Sequence, residues 1–265
     1  MTTSWKEKIL LSALALLLVP PTSAAAQDAD ELAKQTQNPV SSLISVPLQG
    51  NWDFGLGDRE ATSTLLNIQP VMPFGVSPST NVILRVIMPL TSQPGPEGMR
   101  INGLSDIVAT AFFSPSRTGR IIWGVGPVLL LPAATNNSLG TEKFGVGPSV
   151  VALAQPGKTT VGFLFNHIWS VSGANDRSDV DQTFLQPFVN YNLGSGLSAG
   201  VGLEATANWE ADDTWTAPLL FNVSKVTVLG ERPVSFVIAA GPTLASAEAA
   251  ASWRFRVGAT FLFPR

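Results

Sequence analysis

From Ile44 to the C-terminus the chain alternates apolar and polar residues with a period of two. The last segment shows it most plainly. In SWRFRVGATFLF, Trp253, Phe255, Val257, Ala259, Phe261 and Phe263 fall on one side, and Arg254, Arg256, Gly258 and Thr260 on the other. Successive side chains of a strand point to opposite faces, so this is a strand with one apolar and one polar or small face. LSAGVGLEATANWE repeats the pattern: Leu197, Ala199, Val201, Leu203, Ala205, Ala207 and Trp209 oppose Ser198, Gly200, Gly202, Glu204, Thr206, Asn208 and Glu210. In the same way Ile44, Val46, Leu48, Trp52 and Phe54 oppose Ser45, Gln49, Asn51 and Asp53. Leu66, Ile68, Met72 and Phe74 oppose Asn67 and Gln69; Val82, Leu84, Val86, Met88 and Leu90 oppose Arg85; Leu185, Val189, Tyr191 and Leu193 oppose Gln186, Asn190 and Asn192. About twelve such segments are predicted, at 44–54, 64–74, 81–90, 105–114, 120–131, 143–154, 159–170, 182–193, 197–209, 215–226, 233–243 and 252–263. In 105–171 both faces are partly apolar, which leaves the registers there open.

A soluble sandwich and a membrane barrel share this dyad. The start of the chain and its composition separate them. Lys6 and Lys8 precede an apolar run from Ile9 to Val19, followed by Pro20-Pro21 and the small residues Ser23-Ala24-Ala25-Ala26. That is the layout of a secretory signal peptide, with cleavage expected after Ala26. Only 13% of residues are charged and mean hydropathy is +0.24, whereas soluble domains carry about 25% charged residues. No apolar run in the remaining chain is long enough for a spanning helix: IIWGVGPVLLLPAAT, from Ile121 to Thr135, is broken by Gly and Pro. A bilayer admits only helices and closed barrels. The predicted fold class is therefore all-β, an antiparallel transmembrane up-and-down β-barrel of about twelve strands in the bacterial outer membrane. Its predicted organisation is a signal peptide over 1–26, a periplasmic N-terminal segment over 27–43 and a barrel over 44–265.

The connections agree. GVSPST, SPSRTG, QPGK, GSG and LGERP are short and alternate with longer GLGDREATS, TSQPGPEGMRING, PAATNNSLGTE and SGANDRSDVD, then EADDT and LASAEAAA. Short periplasmic turns and longer outer loops are the habit of such barrels, and an even strand count puts both barrel ends in the periplasm. Trp52, Trp169, Trp209, Trp215, Trp253 and Tyr191 fall at strand ends, as an interfacial aromatic girdle requires. The polar segment QDADELAKQTQNPVSS, Gln27 to Ser42, has helical character over Asp30–Gln37, ended by Asn38-Pro39. It either extends into the periplasm or folds into the lumen.

After cleavage the basic count falls from 16 to 14 and the acidic count from 19 to 18. A mildly acidic chain argues against nucleic acid as a partner. The chain has no cysteine, which excludes disulfides and thiolate chemistry. No cofactor or metal is expected: Asp176, Asp179 and Asp181, and Asp212 with Asp213, lack calcium-loop spacing, and the repeated GVGP (Gly124–Pro127, Gly145–Pro148) lacks the lysine and helix of a phosphate loop. Small residues where barrel strands bend account for GVGP.

Several stretches together resemble one family: ELAKQTQNPVSSLISVPLQGNWDFG, LNIQPVMPF, GLSDIVATAFFSP, IWGVGPVLLLP, FLFNHIWSVSG and FLQPFVNYNL. They are similar to bacterial outer-membrane barrels described as transporters and linked by name to the meta-cleavage pathway of phenol degradation; some members carry the label neuromedin U. The resemblance spans nearly the whole mature chain and implies an outer-membrane barrel handling small aromatic or hydrophobic compounds. The chain departs from the habit of ending on an aromatic, since Pro264 and Arg265 follow Phe263.

The interior candidates are Asn51, Asp53, Gln69, Arg85, Asn190, Glu204, Asn208, Arg254 and Arg256. Pairing of the first and last strands would bring Asp53 and Asn51 near Arg254. Mixed charge inside a lumen forms a selectivity constriction, locks the wall or pins a plug. The leading reading is a non-enzymatic channel or transporter, with outer-membrane lipid, a small solute and the barrel-assembly machinery as partners. Two alternatives stand beside it. One is a lipid-facing hydrolase using His167, the only histidine, with Ser149, Ser170 or Ser172 as nucleophile; the other is a structural barrel without transport.

Overall fold

The structure, a computed structural model, describes residues 23–117, 119–212, 214–230, 232–245 and 251–264. Most of the expected signal peptide thus lies outside the described residues. The rest forms a closed antiparallel barrel, the fold class read from the alternation. Sixteen strand segments among the described residues merge into twelve staves. They are β1 (Ile44–Leu56), β2 (Ala61–Ile68 and Val71–Ser77), β3 (Thr80–Pro94), β4 (Arg100–Leu104 and Ile107–Pro115), β5 (Ile121–Leu131) and β6 (Lys143–Ala154). The others are β7 (Thr159–Gly173), β8 (Asp181–Gly194), β9 (Leu197–Leu203 and Ala205–Asn208), β10 (Trp215–Thr216 and Leu219–Leu229), β11 (Arg232–Pro242) and β12 (Trp253–Phe263). Each pairs with its neighbour, and β1 pairs with β12 from Ile44↔Phe263 to Phe54↔Trp253, so no edge remains open.

The four extra segments arise where a stave is interrupted. Pro70 lacks an N–H and splits β2, while the loop expected over 91–103 is largely an extension of the β3–β4 hairpin, with Pro94 paired to Arg100. The first and third connections are accordingly shorter than the sequence suggested.

The GVGP repeats meet at their prolines, Pro127 paired to Pro148, with Gly126 opposite Ser149 and Gly147 opposite Val128. A Cβ on Gly126 would lie 1.8 Å from the Ala111 carbonyl oxygen, and one on Gly147 would lie 1.7 Å from that of His167. Pro127 and Pro148 cannot donate to the ladder, and the neighbouring carbonyls close onto the glycines instead. Gly147→Ala is expected to cost about 2–3 kcal/mol, because the clash is with backbone that cannot step aside. The denaturant midpoint of the refolded barrel measures this; an unchanged midpoint would show that the wall yields there.

Helix α1 (Ser23–Thr36) precedes the barrel and crosses the expected cleavage position. It ends one residue before Gln37, where the Thr36 hydroxyl turns back to the Ala33 carbonyl, 2.8 Å away, ahead of Asn38-Pro39. Buried Ala29 and Ala33 pack with Leu43, Val226 and Leu262 at the short-turn end of the barrel. Polar ties fix the approach: the Gly196 N–H donates to Asp30 Oδ1 at 2.5 Å, Gln155 Nε2 to the Lys34 carbonyl at 2.9 Å and Gln37 Nε2 to Ser198 Oγ at 3.1 Å. Beyond the helix, Val40 joins the interior side chains Ile83, Phe112, Val151, Leu153 and Leu164. Gly124 leaves the room for it, since a Cβ there would stand 3.1 Å from Val40 Cγ1. Of the two arrangements open for residues 27–43, the structure shows the one in which the segment enters the barrel.

Candidate functional site: the charged barrel interior

Strand pairing places Asp53 opposite Arg254 and Asn51 opposite Arg256, all four pointing inward. Arg254 donates from Nε to Asp53 Oδ1 at 2.6 Å and from Nη2 to Oδ2 at 3.0 Å, a two-pronged contact. Its Nη1 reaches Glu204 Oε2 at 3.1 Å. Arg256 grips the same carboxylate from Nη1 and Nη2, both at 2.7 Å, and donates from Nε to Asn51 Oδ1 at 2.6 Å. Glu204 stands on β9, so it spans β10 and β11 to reach β12. Gln186 Nε2 adds a bond to Glu204 Oε1 at 3.2 Å. The result is a ladder of two guanidiniums and two carboxylates with nearly every polar atom engaged, as charges withdrawn from water require.

Gln69, also buried, donates from Nε2 to Gln49 Oε1 at 3.1 Å and accepts from Arg85 Nη2 at 2.8 Å. A mid-barrel cavity of about 290 Å³ is lined by Arg85, Glu204, Arg254 and Arg256 and by the apolar Val108, Leu164 and Ile168, with Thr110, Asn166 and Gln182 among them. Towards the short-turn end, cavities of about 260 and 160 Å³ flank the N-terminal segment. Asn190 lines the larger of these with Gln37 and Pro39, away from the ladder's centre. Asn208 is exposed at the opposite mouth, where it borders a cavity of about 490 Å³ with Thr141, Asp176 and Arg177. Seven of the nine interior candidates thus gather around the mid-barrel, and Asn190 and Asn208 sit towards the two mouths.

The interior is not polar throughout. Staves β4 to β7 present Phe112, Val128, Leu130, Val151, Leu153, Leu164 and Ile168 inward, all buried. These residues were missed as interior because their staves are apolar on both faces. What gives the faces away is small and polar residues on the inner side at the same level, Thr110 and Ser149.

The long-loop mouth is tied together. Asp106 accepts from the Thr141 N–H at 2.6 Å and hydroxyl at 2.7 Å, and Arg177 Nη2 donates to the Gly140 carbonyl at 2.6 Å. Buried Lys143 pairs with Asp179 at 2.9 Å. The hydrogen bond from Lys143, then that from Ser170, then the charge of Lys143 hold the Asp179 carboxyl below the usual carboxylate range. A carboxyl lowered on folding stabilises at pH above its ordinary value of about 4 and loses that effect as pH falls through the lower folded value. Exchange protection of the Val180 amide, which donates to Ser170 Oγ, is therefore expected to persist from neutral pH to pH ~5 and to fade below pH ~4. Loss already near pH ~6 would contradict the clamp.

On the outer face, Trp169, Trp209, Trp215, Trp253 and Tyr191 are exposed, and Trp52 folds over Gly50 and packs on Phe255 at 5.9 Å. Trp123, 44% exposed near the short-turn end, belongs with Tyr191 and was not among the residues picked from the sequence. His167 lies on this face. None of the three serines weighed as its partner reaches it: Ser149 Oγ donates to the Phe165 carbonyl and Ser170 Oγ to Asp179, and its ring contacts lie elsewhere. Its Nδ1 contacts Thr183 Oγ1 at 2.7 Å, its Nε2 is 3.1 Å from Asp181 Oδ1, and Trp209 Nε1 donates to the same Thr183 oxygen at 2.9 Å.

No family model matches the chain, and no curated protein matches it. Among solved structures, an outer membrane channel from Pseudomonas putida F1 superposes with a TM-score of 0.64 at 16% identity, over 83% of this chain and 94% of that one. The NanC porin superposes with a TM-score of 0.55 at 11% identity, over 82% of this chain and 98% of that one. Identities this low speak to the fold, which is that of outer-membrane barrels. The phenol-pathway family named from the sequence rests on the sequence alone.

Proposed function

We propose that this protein is an outer-membrane channel for small solutes. Its lumen narrows at the Asp53–Arg254–Glu204–Arg256 ladder, and its short-turn mouth is occupied by the N-terminal segment. The observation that carries the reading is the chain of cavities on both sides of that ladder, inside a closed wall whose outer face is apolar. A barrel built only as a structural element has no need of ionic groups held around open space, and filling that space with apolar side chains would cost less. The likeness to an outer membrane channel and a porin supports the same reading.

In this reading the long-loop mouth faces outward and the N-terminal segment lies on the periplasmic side. Trp169, Trp209, Trp215, Trp253 and Trp52 form the outer aromatic girdle against lipid, and Tyr191 with Trp123 forms the inner one. The barrel-assembly machinery inserts the chain after signal-peptide removal. The mid-barrel cavity fits one small molecule, and the apolar side chains in its lining suit the small aromatic or hydrophobic compounds that the sequence resemblance implies. Single-channel recording of the refolded mature protein in a planar bilayer tests the proposal. Small, steady conductance is expected. A correctly folded barrel that stays silent, and stays silent after removal of residues 27–41, would overturn it.

A further inference from the structure

The ladder leaves one cation over. Arg85, Arg254 and Arg256 face Asp53 and Glu204, and the two carboxylates are taken by Arg254 and Arg256. Arg85 forms no ion pair among the described residues. Of the five N–H groups of a guanidinium, one has a protein partner, Gln69 Oε1. The side chain lies at a junction: it lines both the mid-barrel cavity and the smaller cavity beside Thr36, Pro39 and Leu43 of the N-terminal segment. Apolar side chains line the same cavity: Ile87 on the stave of Arg85, Val108 on the stave paired to it, and Leu164, Ile168 and Phe184 on β7 and β8. The space therefore offers open guanidinium donors together with apolar side chains, among which Thr110, Asn166 and Gln182 are interspersed.

We infer that the mid-barrel cavity is a binding site for a small monoanion with an apolar body, a hydrophobic carboxylate, and that Arg85 reads its charge. A carboxylate takes two N–H donors from one guanidinium in a planar fork, which a lysine or an amide cannot reproduce. The apolar body displaces water from Ile87, Val108, Leu164, Ile168 and Phe184. A neutral molecule of the same shape keeps the second contact and loses the first. A small hydrophilic anion such as acetate keeps the first and loses the second. A cation loses the first contact and meets repulsion from Arg85, with Glu204 already shared between two arginines. The inference rests on the channel reading for the solute's access to the lumen, but binding is measured without transport.

Equilibrium titration of the refolded full-length barrel in detergent, with benzoate, its neutral isostere benzamide and acetate as probes, tests it. Benzoate is compact, rigid and water-soluble. It is expected to bind roughly tenfold or more tighter than benzamide, in line with a charge-assisted contact, and tighter than acetate. Arg85→Gln is expected to remove the preference for benzoate and leave benzamide binding within about twofold. Arg85→Lys, which keeps the charge without the fork, retains part of it. Equal binding of benzoate and benzamide by the wild-type protein would overturn the inference, and so would a preference that survives Arg85→Gln in a folded barrel. Acetate binding as tightly as benzoate would overturn the role of the apolar side chains. If benzoate binds as expected and bilayers stay silent, the channel reading fails and this site stands. If bilayers conduct and benzoate shows no preference, the reverse holds.

Discussion

Glu204→Gln should lower the stability of the barrel by about 3 kcal/mol, the largest effect expected of a single substitution in the interior. Glu204 holds Arg254 and Arg256 at once, through three hydrogen bonds of 2.7 to 3.1 Å. Glutamine keeps the shape but removes the charge and turns one acceptor into a donor aimed at a guanidinium. Arg256 is then left buried without a carboxylate partner, while Arg254 keeps Asp53. Breaking a withdrawn ion pair from one side costs more than deleting it whole, because the remaining charge stays desolvated. The denaturant midpoint of protein folded into vesicles reads the loss. The same change should make the lumen more anion-selective, since three guanidiniums would then face one carboxylate. A zero-current potential measured across a salt gradient reports that shift. A variant as stable and as selective as the wild type would mean that water in the lumen already screens the ladder, and that it neither braces the wall nor sets the current.

Removal of residues 27–41 is expected to raise single-channel conductance severalfold with little change in ion preference. The segment places Ala29 and Ala33 against Val226 and Leu262, threads Gln37 to Ser198 and seats Val40 among Ile83, Phe112 and Val151. It thereby occupies the short-turn mouth, whereas the ladder to which the proposed channel owes its selectivity stands above it. Val40→Asp approaches the same end without shortening the chain. A lone carboxylate cannot remain among Ile83, Phe112, Val151, Leu153 and Leu164, so the segment should leave. Both variants should lose some thermal stability, because the cluster around Leu43 and Val226 loses part of its cover. Conductance unchanged in both would show that the segment does not limit the current.

The sequence by itself determined the barrel and most of its charged site. Alternation over about ten residues fixes which side of each strand is polar, and that pattern needs no tertiary information. Low charge with no spanning helix then leaves closure as the arrangement that satisfies every backbone group in a bilayer. Once β1 and β12 must pair, Asn51 and Asp53 meet Arg256 and Arg254, as their positions along the two strands imply. The limit of this reasoning appears where alternation fades. Staves β4 to β7 are apolar on both faces, so their inward residues could not be told apart, and the half-apolar lumen emerged only with the registers.

Three further features were decided by tertiary structure. Glu204 could be placed inside the barrel from its strand, but not across two staves against both arginines. That depends on curvature and shear, which set which levels of distant strands coincide. Which of its two arrangements the 27–43 segment takes was likewise left open by the sequence, because its polar composition is also that of a solvated tail. The few apolar residues it does carry, Ala29, Ala33, Val40 and Leu43, gain meaning only from pockets formed by strands far along the chain. The spare cation at Arg85 has the same origin. A sequence counts charges, and only the fold decides which are neutralised by contact and which is left facing open space.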